Sequence, residues 1–99
     1  MKYLISHLAR QDLENIWLYT FENWSADQAD RCFNLIMDEI EYISSKPDSG
    51  YDYSQVRKGS LRSRIKSHFL FYRINKKKNL VEIIRILHQR MDIESRLTE

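Results

Sequence analysis

The chain has 99 residues, of which 42% are hydrophobic, 12% aromatic and 30% charged, with only two Gly and one Pro, so it should form one globular domain over residues 1–99 rather than a disordered chain. No apolar run approaches the roughly 20 residues of a membrane helix, so we expect a soluble, cytoplasmic protein. One Cys and three scattered His disfavour a disulfide or a zinc site, so we expect no metal and no cofactor. Residues 1–54 carry four Lys or Arg and ten Asp or Glu, whereas residues 55–99 carry twelve Lys or Arg and four Asp or Glu. A half as basic as the second is typical of a protein that binds an acidic partner.

Two helices are predicted in the acidic half. In residues 7–23, small and apolar side chains recur every three or four positions, as on the buried face of a helix: Ala9, Leu13, Ile16 and Thr20. Ser25 is a good N-cap for a second helix, which carries a longer stripe of the same spacing: Ala29, Phe33, Ile36, Ile40 and Ile43. Because Pro47 cannot continue a helix, the second one should end near Lys46. With one or two residues between them, the helices should form an antiparallel hairpin.

The hydrophobic period changes from 3.6 to 2 after the turn at residues 47–50. Alternation in residues 61–67, 68–74 and 80–87 predicts three antiparallel strands, and apolar residues 3–5 predict a short strand at the start. Asp92 would cap a short helix over residues 92–97. The predicted fold is therefore α+β, in the order β-α-α-β-β-β, with the helical hairpin packed on one face of a twisted, mainly antiparallel sheet.

Strand alternation divides the predicted sheet into two faces. The face expected beneath the helices is apolar apart from Glu82: Leu61, Ser63, Ile65, Leu70, Tyr72, Ile74, Leu80, Ile84 and Ile86. The other face mixes cations with apolar side chains: Arg62, Arg64, Lys66, Phe69, Phe71, Arg73, Val81, Ile83, Arg85 and Leu87. We expect this second face to be an open groove for an amphipathic, acidic segment. Alternatively, residues 88–97 cover its apolar side chains.

The sequence contains no strong catalytic motif. Two glycines are too few for a Gly-rich phosphate loop, and no Ser stands in a nucleophile elbow. His88, near Arg85, Arg90 and Asp92, could act as a general base. A simpler interpretation is that its imidazole hydrogen-bonds the backbone or Asp92 and holds the C-terminal turn. Three further side chains are expected to pack in the hairpin: Trp17, Trp24 and Cys32.

Short motifs follow one another through the chain: Ala9-x-x-Asp12-Leu13-x-x-Ile16-x-x-Tyr19, Trp24 with Gln28-Ala29, Pro47-x-x-Gly50, Arg57-x-Gly59, His68 with Tyr72, and Arg85-x-Leu87-His88-x-Arg90-Met91-Asp92. Each motif is degenerate by itself, and the last one is the most distinctive. Their order on a β-α-α-β-β-β pattern, from about residue 3 to residue 92, resembles the ParE branch of the RelE/ParE toxins of bacterial type II toxin-antitoxin modules.

The resemblance implies a plasmid-stabilisation toxin that poisons DNA gyrase by binding, traps it on cleaved DNA, and is neutralised in a hetero-oligomer by a ParD-like antitoxin. The residues expected to bind the target lie at the end of the last strand: Arg85, His88, Arg90, Met91 and Asp92. The residues expected to bind the antitoxin lie on the mixed sheet face: Arg62, Arg64, Phe69, Phe71, Arg73 and Ile83. Neither membrane binding nor sequence-specific nucleic-acid binding by the chain alone is expected.

The alternative is the RelE branch, whose members are ribosome-dependent endoribonucleases that cut messenger RNA. In that case the catalytic residues would be His88, Arg85 and Arg64, which could transfer protons and stabilise the scissile phosphate. No Tyr follows Tyr72, and a C-terminal Tyr is one of the proton-transfer groups such chemistry would use, so this function is disfavoured. A third interpretation is a degenerate toxin that acts only as a binding partner or co-repressor.

Overall fold

A computed structural model of the chain describes residues 1–98 as a helical hairpin on a five-stranded sheet. The elements are β1 (Lys2–Ile5), α1 (His7–Asn23), α2 (Ala26–Ser45), β2 (Tyr51–Asp52), β3 (Ser60–Ile65), β4 (His68–Asn75), β5 (Leu80–His88) and α3 (Ile93–Leu97), with one 3₁₀ turn at Pro47–Ser49. The strand order is β1-β5-β4-β3-β2, and only the β1–β5 pair of this sheet is parallel. The predicted α+β class is confirmed, whereas the two-residue β2 was not predicted.

Both long helices begin at serine caps. Ser6 Oγ accepts a hydrogen bond from the Ala9 amide at 3.0 Å, and Ser25 Oγ accepts one from the Gln28 amide at 3.1 Å. Each cap satisfies one of the amide groups that a helix leaves without a partner in its first turn. The predicted bounds of α1, and the end of α2 before Pro47, are confirmed.

The main core lies between the hairpin and the sheet. Its buried helical side chains follow the predicted stripes: Ala9, Leu13, Ile36, Ile40 and Ile43. Phe33 departs from its predicted position because it is exposed, and half-buried Cys32 packs against this core instead. Trp24, predicted to pack, is 67% exposed at the tip of the hairpin. None of the helices described in residues 1–98 is long and apolar enough to span a membrane.

A β-bulge between β4 and β5 changes which side chains face the helices. Phe71 is paired with Arg85 and Tyr72 with Ile83, so Ile84 is an extra residue on β5. Ile83 therefore packs in the main core and Ile84 on the opposite face. The prediction that Ile83 lies on the mixed face is wrong, because one inserted residue reverses the alternation along the strand.

The sheet face away from the hairpin carries a second, smaller core. Phe71 is 0% exposed there and packs with Ile84, Leu87 and Leu97. Tyr53, Val56, Phe69 and Ile93 surround this cluster. The predicted open groove is therefore wrong at Phe71, and the alternative in which residues 88–97 cover the face is confirmed. Asp92 caps α3 as predicted, since its carboxylate accepts hydrogen bonds from the Ser95 amide and hydroxyl.

Candidate functional site

Three aromatic rings surround the guanidinium of Arg62 on the face opposite the hairpin. The Arg62 Cζ atom lies 4.8 Å from the ring centroid of Tyr51, 5.4 Å from that of Tyr53 and 4.5 Å from that of Phe69. Arg64 Cζ lies 5.8 Å from the same Phe69 centroid. We call these five residues the aromatic-arginine strip. Cation–π contacts hold the guanidinium planes against the rings and leave their edges available for hydrogen bonds.

The two strip arginines differ in their hydrogen bonds. Arg64 Nε donates to the Lys66 carbonyl at 2.8 Å, and its Nη2 donates to Gln89 Oε1 at 2.9 Å. Within residues 1–98, no carboxylate or carbonyl accepts a hydrogen bond from Arg62. Arg62 is therefore positioned by stacking alone, and its donors face solvent.

Arg73 lies on the same sheet face but is neutralised there. Its guanidinium donates two hydrogen bonds to Glu82 Oε1, at 3.0 and 2.9 Å, across the β4–β5 pair. This contact explains Glu82, the one acidic residue that did not fit the predicted apolar face. Because of the bulge, Glu82 lies beside Arg73 on the opposite face.

Arg85, predicted to bind the target or to catalyse, is buried in a structural ion pair. Its Nε donates to Asp12 Oδ2 at 2.9 Å, its Nη2 to Asp12 Oδ1 at 3.1 Å, and its Nη1 to the Arg96 carbonyl at 3.0 Å. The residue is only 5% exposed. Asp12 also accepts a hydrogen bond from the Ile86 amide at 2.9 Å, where β5 extends beyond β1. Arg85 thus ties α1, β5 and α3 together, and its prediction as a surface contact residue is wrong.

The remaining residues predicted to bind the target form the turn between β5 and α3. His88 Nδ1 accepts a hydrogen bond from the Arg90 amide at 3.1 Å, and the His88 carbonyl accepts one from the Met91 amide at 3.0 Å. The prediction that the imidazole holds this turn through the backbone is confirmed. Arg90, Met91 and Asp92 are exposed on the turn. The structure therefore brings these four residues together at one end of the sheet.

His88 also has a titratable neighbour, His68, which the sequence motifs associated with Tyr72 and not with His88. His68 is directly opposite His88 in the β4–β5 pair, and their rings meet edge to face with centroids 5.2 Å apart. Burial lowers the pKa of His68, and the nearby His88 lowers it further. His68 therefore resists protonation in the folded chain. Its position opposite His88 depends on the strand register, which the sequence alone does not give.

The helical hairpin carries an exposed apolar patch at its tip, which sequence reasoning did not identify. We call it the hairpin patch: Leu18, Tyr19, Phe21 and Trp24, each at least 47% exposed. The Tyr19 and Trp24 rings are in edge contact, and the Phe21 ring is stacked on half-buried Trp17. Contiguous exposed apolar side chains of this size are typical of protein-binding surfaces.

The residues proposed for RNA cleavage differ in their accessibility. Of the residues proposed for RNA cleavage, Arg85 is buried, Arg64 is hydrogen-bonded to its neighbours and His88 Nδ1 is occupied by a backbone amide. Within the described part of the chain, no group of three or more His, Cys, Asp or Glu side chains could hold a metal ion. The strip is partly accessible, and the turn after β5 and the hairpin patch are exposed.

Comparisons with known proteins identify the family. The family model described as the ParE toxin of the type II toxin-antitoxin system parDE matches residues 3–93. The chain is 33% identical over 96 residues to Toxin ParE1 of Mycobacterium tuberculosis, covering 97% of each chain, and 36% identical over 95 residues to Toxin ParE1 of Caulobacter vibrioides, covering 96% of each.

Two solved structures share the fold. One is from the chromosomal ParDE toxin-antitoxin system of P. aeruginosa, with a TM-score of 0.77 and 14% identity over 89% of this chain and 95% of that one. The other is from the RelBE2 toxin-antitoxin complex of Mycobacterium tuberculosis, with a TM-score of 0.68 and 20% identity over 88% of this chain and 95% of that one. The family match covers nearly the whole chain and these neighbours have the same architecture, so the chain belongs to the ParE toxin family of type II toxin-antitoxin systems.

Proposed function

We propose that this ParE-family toxin acts by binding DNA gyrase and stabilising its complex with cleaved DNA, and that a ParD-like antitoxin neutralises it. Membership of the ParE family over residues 3–93 is the observation that carries the proposal. The relatives named Toxin ParE1 align with the chain over almost their full length. A structural neighbour from a ParDE system supports an antitoxin partner of the ParD type.

The contacts of the basic residues favour a binding toxin over a ribonuclease. Ribonuclease chemistry needs cations that face a phosphate and a proton-transfer group within hydrogen-bond reach of the reacting oxygen. Arg85 is instead bonded to Asp12, and the Nδ1 atom of His88 accepts from the Arg90 amide. Of the proposed catalytic set, only exposed Arg64 and the other nitrogen of His88 remain.

We assign the target contact to the turn after β5. Arg90 and Met91 are exposed there, with Met91 at 44%, and Asp92 is fixed as the cap of α3. His88 holds the turn from inside. An exposed Arg beside an exposed Met, both on a hydrogen-bonded turn, offers a partner a charged contact and an apolar contact in a fixed geometry.

We assign antitoxin binding to two surfaces of opposite character. The basic face offers Arg62, Arg64 and Phe69 to an acidic extended segment, and Arg73 would join them by exchanging Glu82 for an acidic group of that segment. Phe71 and Ile83 are buried and cannot take part without unfolding. The hairpin patch offers an apolar surface to a helical segment. A tail that is disordered when free and folds along both surfaces would form the expected hetero-oligomer.

Gyrase-dependent cleavage of plasmid DNA tests the proposal. Wild-type toxin should increase the linear product in the presence of gyrase and have no effect without it. Arg90→Ala should lower the linear product at least tenfold, because it removes a target contact. His88→Gln should retain most activity, because the amide can still accept from the Arg90 backbone. Lys77→Gln, in the β4–β5 turn, is the charge-matched control.

The competing function has its own readout. Expression without antitoxin should cause DNA-damage signalling and filamentation while pulse-labelled protein synthesis continues. Rapid arrest of translation with intact DNA would establish the ribonuclease instead. An active His88→Gln variant would separately exclude His88 as the general base, since loss of such a group costs about 10² to 10⁴ in rate.

A further inference from the structure

Arg62 is prepared to receive an anionic ligand. Three rings fix its guanidinium, yet no acceptor within residues 1–98 takes its hydrogens. The nearby carboxylates are directed elsewhere. Glu82 is bound to Arg73. Asp52 lies opposite Leu61 in the β2–β3 strand pair, and because Leu61 packs on the hairpin side of the sheet, Asp52 is on that side too. A stacked arginine with all its donors unused is positioned for a phosphate or carboxylate group.

The spacing along β3 extends this single site into a row. Arg62 and Arg64 are two residues apart on β3, so they lie on the same face of the strand with their Cα atoms about 7 Å apart. Exposed Lys66 continues the positive charge into the β3–β4 turn. Evenly spaced cations along a strand match a ligand whose negative charges repeat along an extended chain.

An exposed ring beside these cations selects among such ligands. Tyr51 is 65% exposed, although it stacks against Arg62 on one side. An acidic peptide has charges at the right spacing, but its Asp and Glu side chains offer no aromatic group to cover this ring. Unpaired nucleotides have both, because each phosphate is accompanied by a base that can stack on an aromatic side chain.

We infer that the aromatic-arginine strip binds single-stranded DNA without sequence preference, its arginines on successive phosphates and a base stacked on Tyr51. The inference rests on the proposed function only for the source of the strand, which would be the unpaired nucleotides at the cleaved ends in a trapped gyrase complex. Through the strip the toxin would contact the nucleic acid directly, in addition to its contact with the enzyme. An acidic antitoxin segment on the same arginines would then release the DNA.

Binding of free toxin to a fluorescent 20-nucleotide oligo-dT, measured by anisotropy, tests the inference without gyrase. With two phosphates neutralised, the logarithm of the binding constant should fall with the logarithm of salt concentration with a slope of about −1.4. Arg62→Gln should reduce that slope by about 0.7 and weaken binding. Arg62→Lys should keep the slope but bind less tightly, because the planar stack is lost.

Variants of Tyr51 distinguish the contribution of base stacking to binding from that of charge. Tyr51→Ala should weaken binding about fivefold or more with the salt slope unchanged, and Tyr51→Phe should restore wild-type affinity. Lys77→Gln, at the other end of the sheet, should change neither quantity. Thermal melts of every variant establish that the fold is intact. No binding by wild-type toxin at low salt, or full affinity in Tyr51→Ala, would overturn the inference.

Two competitors test the class of ligand, and gyrase tests the role. Oligo-Glu of equal charge lacks both a base for Tyr51 and the antitoxin's contacts with the hairpin patch, so it should bind more weakly than oligo-dT. Equal affinity for oligo-Glu, or tenfold tighter binding of oligo-rU, would overturn the inference. If wild-type toxin binds oligo-dT but never stabilises gyrase cleavage, the proposed function fails and the DNA site stands. If Arg62→Gln traps cleaved DNA as well as wild type does, the strip has no part in poisoning.

Discussion

The pair of Asp12 and Arg85 should account for a large share of the stability of the fold. Asp12 accepts two hydrogen bonds from Arg85, and it also accepts one from the Ile86 amide where β5 extends beyond β1. Side-chain exposures of 11% for Asp12 and 7% for Arg85 leave little water to replace these contacts. Asp12→Ala would therefore remove two hydrogen bonds from the buried Arg85 and leave the buried Ile86 amide without this acceptor.

The size of the effect follows from these contacts. Breaking a buried ion pair by removing one partner costs about 3 to 5 kcal/mol, a large part of the roughly 5 to 15 kcal/mol that stabilises a typical domain. For a chain of this length the loss corresponds to a fall in Tm of roughly 12 to 40 °C. A double variant, Asp12→Leu with Arg85→Leu, should regain much of this loss. It should still lack about 1 to 3 kcal/mol, because the Ile86 amide stays without an acceptor.

Urea unfolding followed by circular dichroism measures all four members of the cycle. The expected coupling free energy between Asp12 and Arg85 exceeds about 2 kcal/mol. Glu14→Ala, which removes an exposed carboxylate from the same helix, should change stability by less than about 0.5 kcal/mol. A loss below about 1 kcal/mol in Asp12→Ala, or additive single effects, would refute the structural role of the pair.

Two further changes follow from other contacts. Gly50→Ala should destabilise the fold by about 1 to 3 kcal/mol in urea unfolding, because a Cβ there would overlap the buried Tyr72 side chain, whose hydroxyl donates to the Pro47 carbonyl at 2.8 Å. An equal loss in a Tyr72→Leu background would contradict this cause. The pKa of His68 is lowered from its ordinary 6.5, so the unfolded chain takes up the proton at a higher pH than the folded chain does. Stability should therefore be full above about pH 7 and fall as the pH decreases through 6.5. Thermal melts of His68→Gln should lack that part of the acid sensitivity, and an unchanged pH profile would exclude His68 as its source.

Much of the fold could be predicted from local signals. Ser25 and Pro47 delimit α2, and Asp92 marks the start of α3, because caps and proline act through the adjacent backbone. The inserted residue at Ile84 could not be predicted from alternation alone, since it depends on how β5 pairs with β4. Glu82 was its one visible sign, as the charge on a face that was otherwise apolar.

The site was harder to predict because its residues are joined by tertiary contacts. Asp12 and Arg85 both belong to motifs that the sequence offers, yet only the fold shows that they bind each other across 73 residues. Tyr51 and Tyr53 gave no signal of their own, because their contact with Arg62 arises from the short pairing of β2 with β3. Arg90 and Met91 lie on the turn that was predicted to carry them, because that turn is local in sequence; their contact with a target stays a prediction.

The parallel pairing of β1 with β5 has a consequence for biosynthesis. The first strand to leave the ribosome is hydrogen-bonded in the sheet to the last one, with Lys2 opposite Leu80. At about 5 to 20 residues per second, the nascent β1 waits roughly 4 to 15 s for its neighbour to be translated. During that interval the sheet lacks β5, the strand that joins β1 to β4, so a message broken before the codon for residue 80 yields a chain that cannot assemble the toxin and is left to the proteases of the cell.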